Sequence, residues 1–202
     1  MRLFAPILLA AGLALAQPAL AHEQVYAAPL LGSSEIPAAT TTGTGYAIVT
    51  FDFDLMTMRV QVTFADLVGN VTASHIHCCT ASPGASNVGV ATQTPSFTGF
   101  PTGVKAGTYD HTFDMSVASS YNATFITNHG GTMSTAFNDL VAGLDSGNAY
   151  LNVHTSSFPG GEIRALLVAV PEPETYALML GGLGVLAMAA RRRRSTASAA
   201  TA

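Results

Sequence analysis

The sequence predicts a mainly β fold, an antiparallel β-sandwich of the Ig-like or Greek-key type with one or two short helices. Apolar and polar residues alternate in several short runs that are separated by Gly-rich turns. One run alone has clear helical spacing. About 150 residues lie between two terminal signal segments, enough for one domain with a real core.

The strands are predicted from period-two alternation. GYAIVTFDFD and TMRVQVTFADL alternate throughout, and Asp54-Leu55-Met56 between them predicts a hairpin. VTASHIHC predicts a third strand, VGVAT at 88–92 a short fourth and TYDHTFDM at 108–115 a fifth. AYLNVHT and EIRALLVAV predict the last strands, at 149–155 and 162–170.

The helix is predicted from 132 to 142, where Met133, Ala136, Phe137, Leu140 and Val141 recur at helical spacing. Gly143 follows at the expected C-terminal cap. A second short helical turn is expected at 123–127. The Pro-, Gly-, Ser- and Thr-rich segment 81–107 predicts a long loop.

The N-terminal segment 1–21 has the pattern of a secretory signal peptide. It contains one early arginine, an apolar run and a small-x-small ending at Ala19-Leu20-Ala21, which predicts cleavage after Ala21 by the Sec-type export pathway. An N-terminal membrane anchor is disfavoured, because the apolar run is short and contains Pro6.

The C-terminal segment 171–194 contains Pro171-Glu172-Pro173, an apolar run at 176–190 and the basic cluster Arg191, Arg192, Arg193 and Arg194. Fifteen helical residues cover about 22 Å, and snorkelling arginines help such a helix to span the membrane. The arginines favour the cytoplasmic side, which places the body of the protein outside. The polar stub 195–202 is predicted to be disordered.

This C-terminal pattern resembles the bacterial PEP-CTERM sorting signal. The resemblance implies recognition by an exosortase and removal of the tail, in a Gram-negative bacterium that makes exopolysaccharide. The expected route runs from an inner-membrane precursor to the outer envelope, the cell surface or the extracellular matrix of a biofilm. The alternative is a permanent tail anchor.

The body of the protein is acidic. Residues 22–170 contain Arg59, Lys105 and Arg164 against ten acidic residues, since five of the eight basic residues lie in the terminal signals. This balance argues against nucleic acid, or an anionic polysaccharide held by charge alone, as the partner.

The stretch HIHCCT at 75–80 contains two histidines and two cysteines, side chains that can bind metal ions or react. If VTASHIHC is a strand, His75 and His77 lie on the same face of it. On the AYLNVHT strand, His154 lies on the face opposite Leu151 and Val153. If Ile76 and Val153 point into the core, all three histidines point outward and could converge on copper or zinc. The alternative is that they hydrogen-bond to neighbouring backbone and shape the loop that follows.

Cys78 and Cys79 are the only cysteines of this exported chain. A vicinal disulfide, metal-bound thiolates and intermolecular bridges remain alternatives, whereas a catalytic thiol is disfavoured because an exposed exported thiol would oxidise. Glu162 and Arg164, two residues apart on one strand face, are expected to pair with each other or across strands.

Several stretches of the body, taken in order, resemble the chordin-type (CHRD) domain. They are GSSEIP at 32–37, the GYAIVTFD strand, SHIHC at 74–78, GNAYLNVHT at 147–155 and FPGGEIRALL at 158–167. The family often has glycine where this chain has Ala165. The resemblance implies a secreted β-domain over 22–170 and brings no settled biochemical role with it.

These features predict an exported, non-enzymatic structural or binding module whose partners are the export machinery, an exosortase and the membrane during maturation. Extracellular polysaccharides or proteins are candidate partners of the mature form. The alternative is an extracellular metalloprotein that uses His75, His77 and His154, with copper or zinc as its cofactor.

Overall fold

The computed structural model describes residues 22–171, 179–184 and 186. The predicted signal peptide with its cleavage site at Ala21, Glu172, Pro173, the arginines at 191–194 and the tail 195–202 lie outside the described residues. Of the predicted membrane segment 176–190, only 179–184 and 186 are described, and they are helical. Within the described residues, no helix is both long and apolar enough to cross a membrane.

Within residues 22–171, eight strands and two α-helices follow one another. They are β1 (Glu23–Leu31), β2 (Thr44–Asp52), β3 (Thr57–Ala65), β4 (Val71–Cys78), β5 (Gly107–Asp114), α1 (Ala123–Asn128), α2 (Met133–Asp145), β6 (Ala149–Thr155), β7 (Ile163–Leu166) and β8 (Val168–Ala169). Short 3₁₀ turns lie at Gly32–Ser34 and Ala118–Ser120.

All strand pairs are antiparallel, which confirms the predicted mainly β fold with short helices. The strands form one continuous, curled sheet in the order β4-β6-β7-β1-β2-β3-β5, with β8 pairing β1. In a sandwich of two separate sheets, the same strands would be divided between two layers. The predicted hairpin is β2–β3, and its turn passes through Met56 with a positive φ of 50°.

The inner face of the sheet encloses one apolar core, closed at one end by α2. Alternate residues of each strand supply it, which explains the period-two pattern, and α2 adds the residues predicted from helical spacing. Its fully buried members include Leu30, Val49, Phe51, Met58, Val60, Ile76, Leu140, Leu151, Val153 and Ile163. Phe137 of α2 packs edge-on against Phe51 and Phe53.

The structure differs from the sequence-based expectations in three places. The sequence patterns do not indicate β1, although this strand pairs with β2 along its whole length. Residues 88–92 form no regular strand but only isolated bridges, at Val90 and Thr92. Gly143 does not cap α2, because the helix continues to Asp145.

The position of Gly143 is explained by the cysteines. Cys78 and Cys79 are joined by a disulfide at the end of β4, and a Cβ atom on Gly143 would collide with the sulfur of Cys78. Glycine inside α2 therefore lets the helix lie directly against the disulfide. This contact ties the end of β4 to the helix that closes the core.

We expect Gly143→Ala to destabilise the protein by about 1–3 kcal/mol, because the added methyl group overpacks the contact with the disulfide. Helix propensity alone would predict the opposite sign. The free energy of unfolding from urea titration measures the effect. Exposed Ala142→Gly is the control and should cost only about 0.5–1 kcal/mol. A Gly143→Ala variant more stable than the wild type would contradict this packing.

Candidate functional site

The three histidines lie side by side on two neighbouring strands. In the β4–β6 pairing, His77 is opposite Tyr150, His75 is opposite Asn152, and His154 is opposite Ala73. Because side chains alternate along a strand, the histidines occupy the face opposite the fully buried Ile76 and Val153. The two strands hold the three imidazole rings with centroids 5.0, 5.6 and 5.9 Å apart.

This outer face is covered by the loop that follows β4. The loop bonds to the free edge of β4, with the amides of Ala91 and Phe97 donating to the carbonyls of Ile76 and Ser74 at 2.9 and 3.0 Å. His75 and His77 are consequently only 7% and 8% exposed. They lie on the predicted outer face of the sheet, and the long loop closes over that face.

Each histidine is held by a carbonyl group on one ring nitrogen. His75 Nε2 lies 2.6 Å from the carbonyl of Pro95, and His77 Nδ1 lies 2.8 Å from that of Val88. His154 Nδ1 lies 2.8 Å from the carbonyl of Pro159. A carbonyl can only accept, so each of these nitrogens is the N–H donor. The other nitrogen of each neutral ring carries a lone pair.

The three rings bring their nitrogens close together. One nitrogen from each histidine lies within 4.8 Å of the other two. His75 Nδ1, His77 Nε2 and His154 Nε2 are buried without a hydrogen-bond partner. Nitrogens bound to one trigonal ion at the usual ~2.0–2.1 Å would be about 3.5 Å apart. Each nitrogen therefore has to move inward by less than about 0.8 Å to reach that distance.

Burial keeps these imidazoles neutral. It lowers the pKa of His77 to about 4, and the hydrogen bond to Val88 opposes this shift without cancelling it. Burial also lowers the pKa of His75 and of His154. At neutral pH the site thus presents three unprotonated nitrogen donors, the form that binds a metal ion.

A buried guanidinium group lies beside the histidines. Arg164 is fully buried and forms an ion pair with Glu35, with Nε and Nη2 lying 2.9 and 2.7 Å from Oε2. Its Nη2 also donates to Asn87. The guanidinium carbon lies 3.8 Å from the centroid of the Tyr150 ring, which stacks on His77 with centroids 4.8 Å apart.

Glu162 does not pair with Arg164. Of the two expected arrangements, pairing with other segments is the one observed, since Glu162 binds Thr155 of the neighbouring strand and Arg164 binds Glu35. The carboxylate of Glu162 accepts hydrogen bonds from the hydroxyls of Thr41 and Thr155 and from the amides of Val68 and Gly69. Burial alone would raise the pKa of Glu162, but these hydrogen bonds outweigh it and hold the pKa below its ordinary value.

The other histidines lie away from this cluster. His129 Nδ1 lies 2.9 Å from Asp139 Oδ2 near α2, and His22 stacks on Phe53. The disulfide follows directly after His77, but Cys78 belongs to the apolar core. The thiolate alternative therefore does not apply to these two cysteines in the structure.

Glu35 is the site residue that sequence reasoning missed. It lies in the GSSEIP stretch, directly after the 3₁₀ turn that ends β1, and is 129 residues from its partner Arg164. Only the sheet order, which places β1 beside β7, brings the two together. No local pattern could have indicated that pairing.

Comparison with protein-family models gives two matches. Residues 26–167 match the CHRD domain, and residues 169–194 match the PEP-CTERM protein-sorting motif. Searches of curated proteins and of solved structures find no match. The sorting motif begins at the end of the fold, in β8, and marks the chain for exosortase-mediated sorting to the cell envelope or surface. The CHRD match covers most of the chain and includes every strand of the site, so the protein belongs to the CHRD domain family.

Proposed function

We propose that the exported domain binds one copper or zinc ion through His75, His77 and His154. The observation that carries this proposal is the convergence of three buried nitrogen lone pairs within 4.8 Å. Three lone pairs facing one another without donors repel, and a cation among them removes that repulsion.

The hydrogen bonds around the cluster support the same function. A histidine that ligates a metal usually donates its other N–H to a carbonyl or carboxylate, which fixes the ring and its tautomer. All three histidines have such a partner, at Pro95, Val88 and Pro159. Holding the neighbouring backbone and binding a metal are thus compatible roles, since each uses a different nitrogen of the ring.

We further propose that the module is not an enzyme and acts by binding, in the outer envelope or the extracellular matrix. Among the described residues, both cysteines are oxidised, and His75 and His77 are buried beneath a loop rather than open to a substrate. Extracellular polysaccharide or protein is the candidate partner of its exposed surface. The proposed precursor is held in the inner membrane by its C-terminal helix until the exosortase acts.

The metal-binding proposal predicts about one copper or zinc ion per chain in the purified exported protein, measured by elemental analysis after removal of loosely bound metal. The triple variant His75→Ala/His77→Ala/His154→Ala should lose it. The control is His111→Ala/His129→Ala, which removes two histidines outside the cluster. Equal metal content in the triple variant and the wild type would refute the proposal.

The metal-free protein should lose stability as the pH falls from about 6.5 towards about 4. The folded pKa of His77 is lowered from 6.5 to about 4. Protons therefore bind preferentially to the unfolded chain in that window, and stability is lost as pH falls. In urea titrations with a chelator present, His77→Gln should show a shallower loss. A variant with the same pH dependence as the wild type would show that His77 does not cause it.

Sorting should depend on the C-terminal motif. We expect a variant with alanine at Pro171, Glu172 and Pro173 to remain in the inner membrane at the mass of the unprocessed tail, as judged by fractionation and immunoblotting. The wild type in a strain lacking the exosortase is the matched control and should behave in the same way. Normal processing of the variant would show that another segment is recognised.

A further inference from the structure

The proposed metal site is neutral. Its donors are three uncharged imidazoles, and no carboxylate or thiolate belongs to the cluster in the described residues. The nearby carboxylate of Glu35 is already paired with Arg164, and the cysteines are oxidised. A divalent ion would keep its full double charge in a buried setting, and burying uncompensated charge is costly.

Arg164 adds a positive field to this neutral site. Its guanidinium carbon lies 3.8 Å from the centroid of the Tyr150 ring, and that ring stacks on His77 with centroids 4.8 Å apart. A positive charge so close to the histidines repels a second positive charge among them. The same repulsion acts on a bound metal ion and scales with the charge of that ion. The field therefore disfavours a divalent ion twice as strongly as a monovalent one.

The site is also closed. All three ligand nitrogens are buried, and the rings are fixed by carbonyls of the two loops that surround them. Zinc sites normally complete a tetrahedron, with a water molecule where only three protein ligands are present. Divalent copper prefers a square-planar or tetragonal set of ligands. Among the described residues, the group of His, Cys, Asp and Glu side chains that could hold an ion consists of the three histidines without a fourth member.

We propose that the three-histidine site is selective for monovalent copper, bound in a three-coordinate geometry. This inference rests on the proposed function, because it names the ion that the same histidines hold. Cu(I) satisfies each constraint: it carries a single charge, accepts imidazole ligands and is stable with three of them. No redox step is involved, since the ion is bound in its reduced form.

The test measures Cu(I) and Zn(II) affinities of the exported protein, the first without oxygen against a chromogenic Cu(I) chelator and the second against a Zn(II) indicator. We expect one Cu(I) per chain, a Zn(II) affinity at least about a hundredfold weaker, and an X-ray absorption spectrum with three nitrogen neighbours. Ag(I), which is monovalent and does not change oxidation state under these conditions, should compete with Cu(I).

Two results would overturn the inference in different ways. Tighter binding of Zn(II), lost on mutation of the three histidines, would overturn selectivity for Cu(I) while the proposed metal site stands. Binding of neither ion would overturn both.

A variant separates charge from geometry. Arg164→Met/Glu35→Gln removes the guanidinium and its carboxylate partner together, so that neither buried charge is left unpaired. We expect its Zn(II) affinity to rise by about tenfold or more relative to Cu(I), because the field of Arg164 is gone. An unchanged ratio in a folded variant would overturn the role of Arg164, and the wild-type affinities alone decide selectivity if the variant does not fold.

Discussion

The buried guanidinium of Arg164 is the constraint around which the outer face of this domain is organised. A fully buried charge requires a partner of opposite charge, and removing one member of such a pair typically costs about 3–5 kcal/mol. Glu35 and Asn87 accept hydrogen bonds from Nε and Nη2 of Arg164, and they come from two different loops. Both loops must therefore fold onto the sheet before the guanidinium has these partners, and one of them is the loop that covers the histidines.

Glu162, which precedes Arg164 by two residues, has the complementary role. Its carboxylate accepts hydrogen bonds from the amides of Val68 and Gly69 and from the hydroxyl of Thr41. The short segment 162–164 thus anchors the segments before β2 and before β4 with one negative charge, and the segments after β1 and after β4 with one positive charge. The domain has a second buried layer, polar and held by specific contacts, on the face of the sheet opposite its apolar core.

The sequence was informative where structure depends on local periodicity. The alternation around Ile76 and Val153 identified the face that His75, His77 and His154 share, and helical spacing located α2. The sequence was not informative where the structure depends on contacts between residues far apart in the chain. β1 has weak alternation of its own and exists as a strand because β2 pairs with it along its full length. Glu35 and Arg164, separated by 129 positions, meet only through the sheet order, and Gly143 is explained by a disulfide outside its own helix.

Two of the three carbonyls that set the histidine tautomers belong to the loop that Arg164 holds through Asn87. Pro95 and Val88 lie in the loop after β4, which also contributes Asn87, and Pro159 lies between β6 and β7. The orientation of the histidine rings therefore depends on how these loops are folded. A metal ion that needs the three lone pairs aligned binds only the state in which these loops are closed, so it stabilises that state by mass action. At a hundred times the dissociation constant this linkage is worth about 2.7 kcal/mol, comparable to the cost of breaking one buried ion pair. With an ion bound as proposed, the ion, the loops and the buried guanidinium all stabilise the same closed conformation, even though Arg164 itself repels the ion.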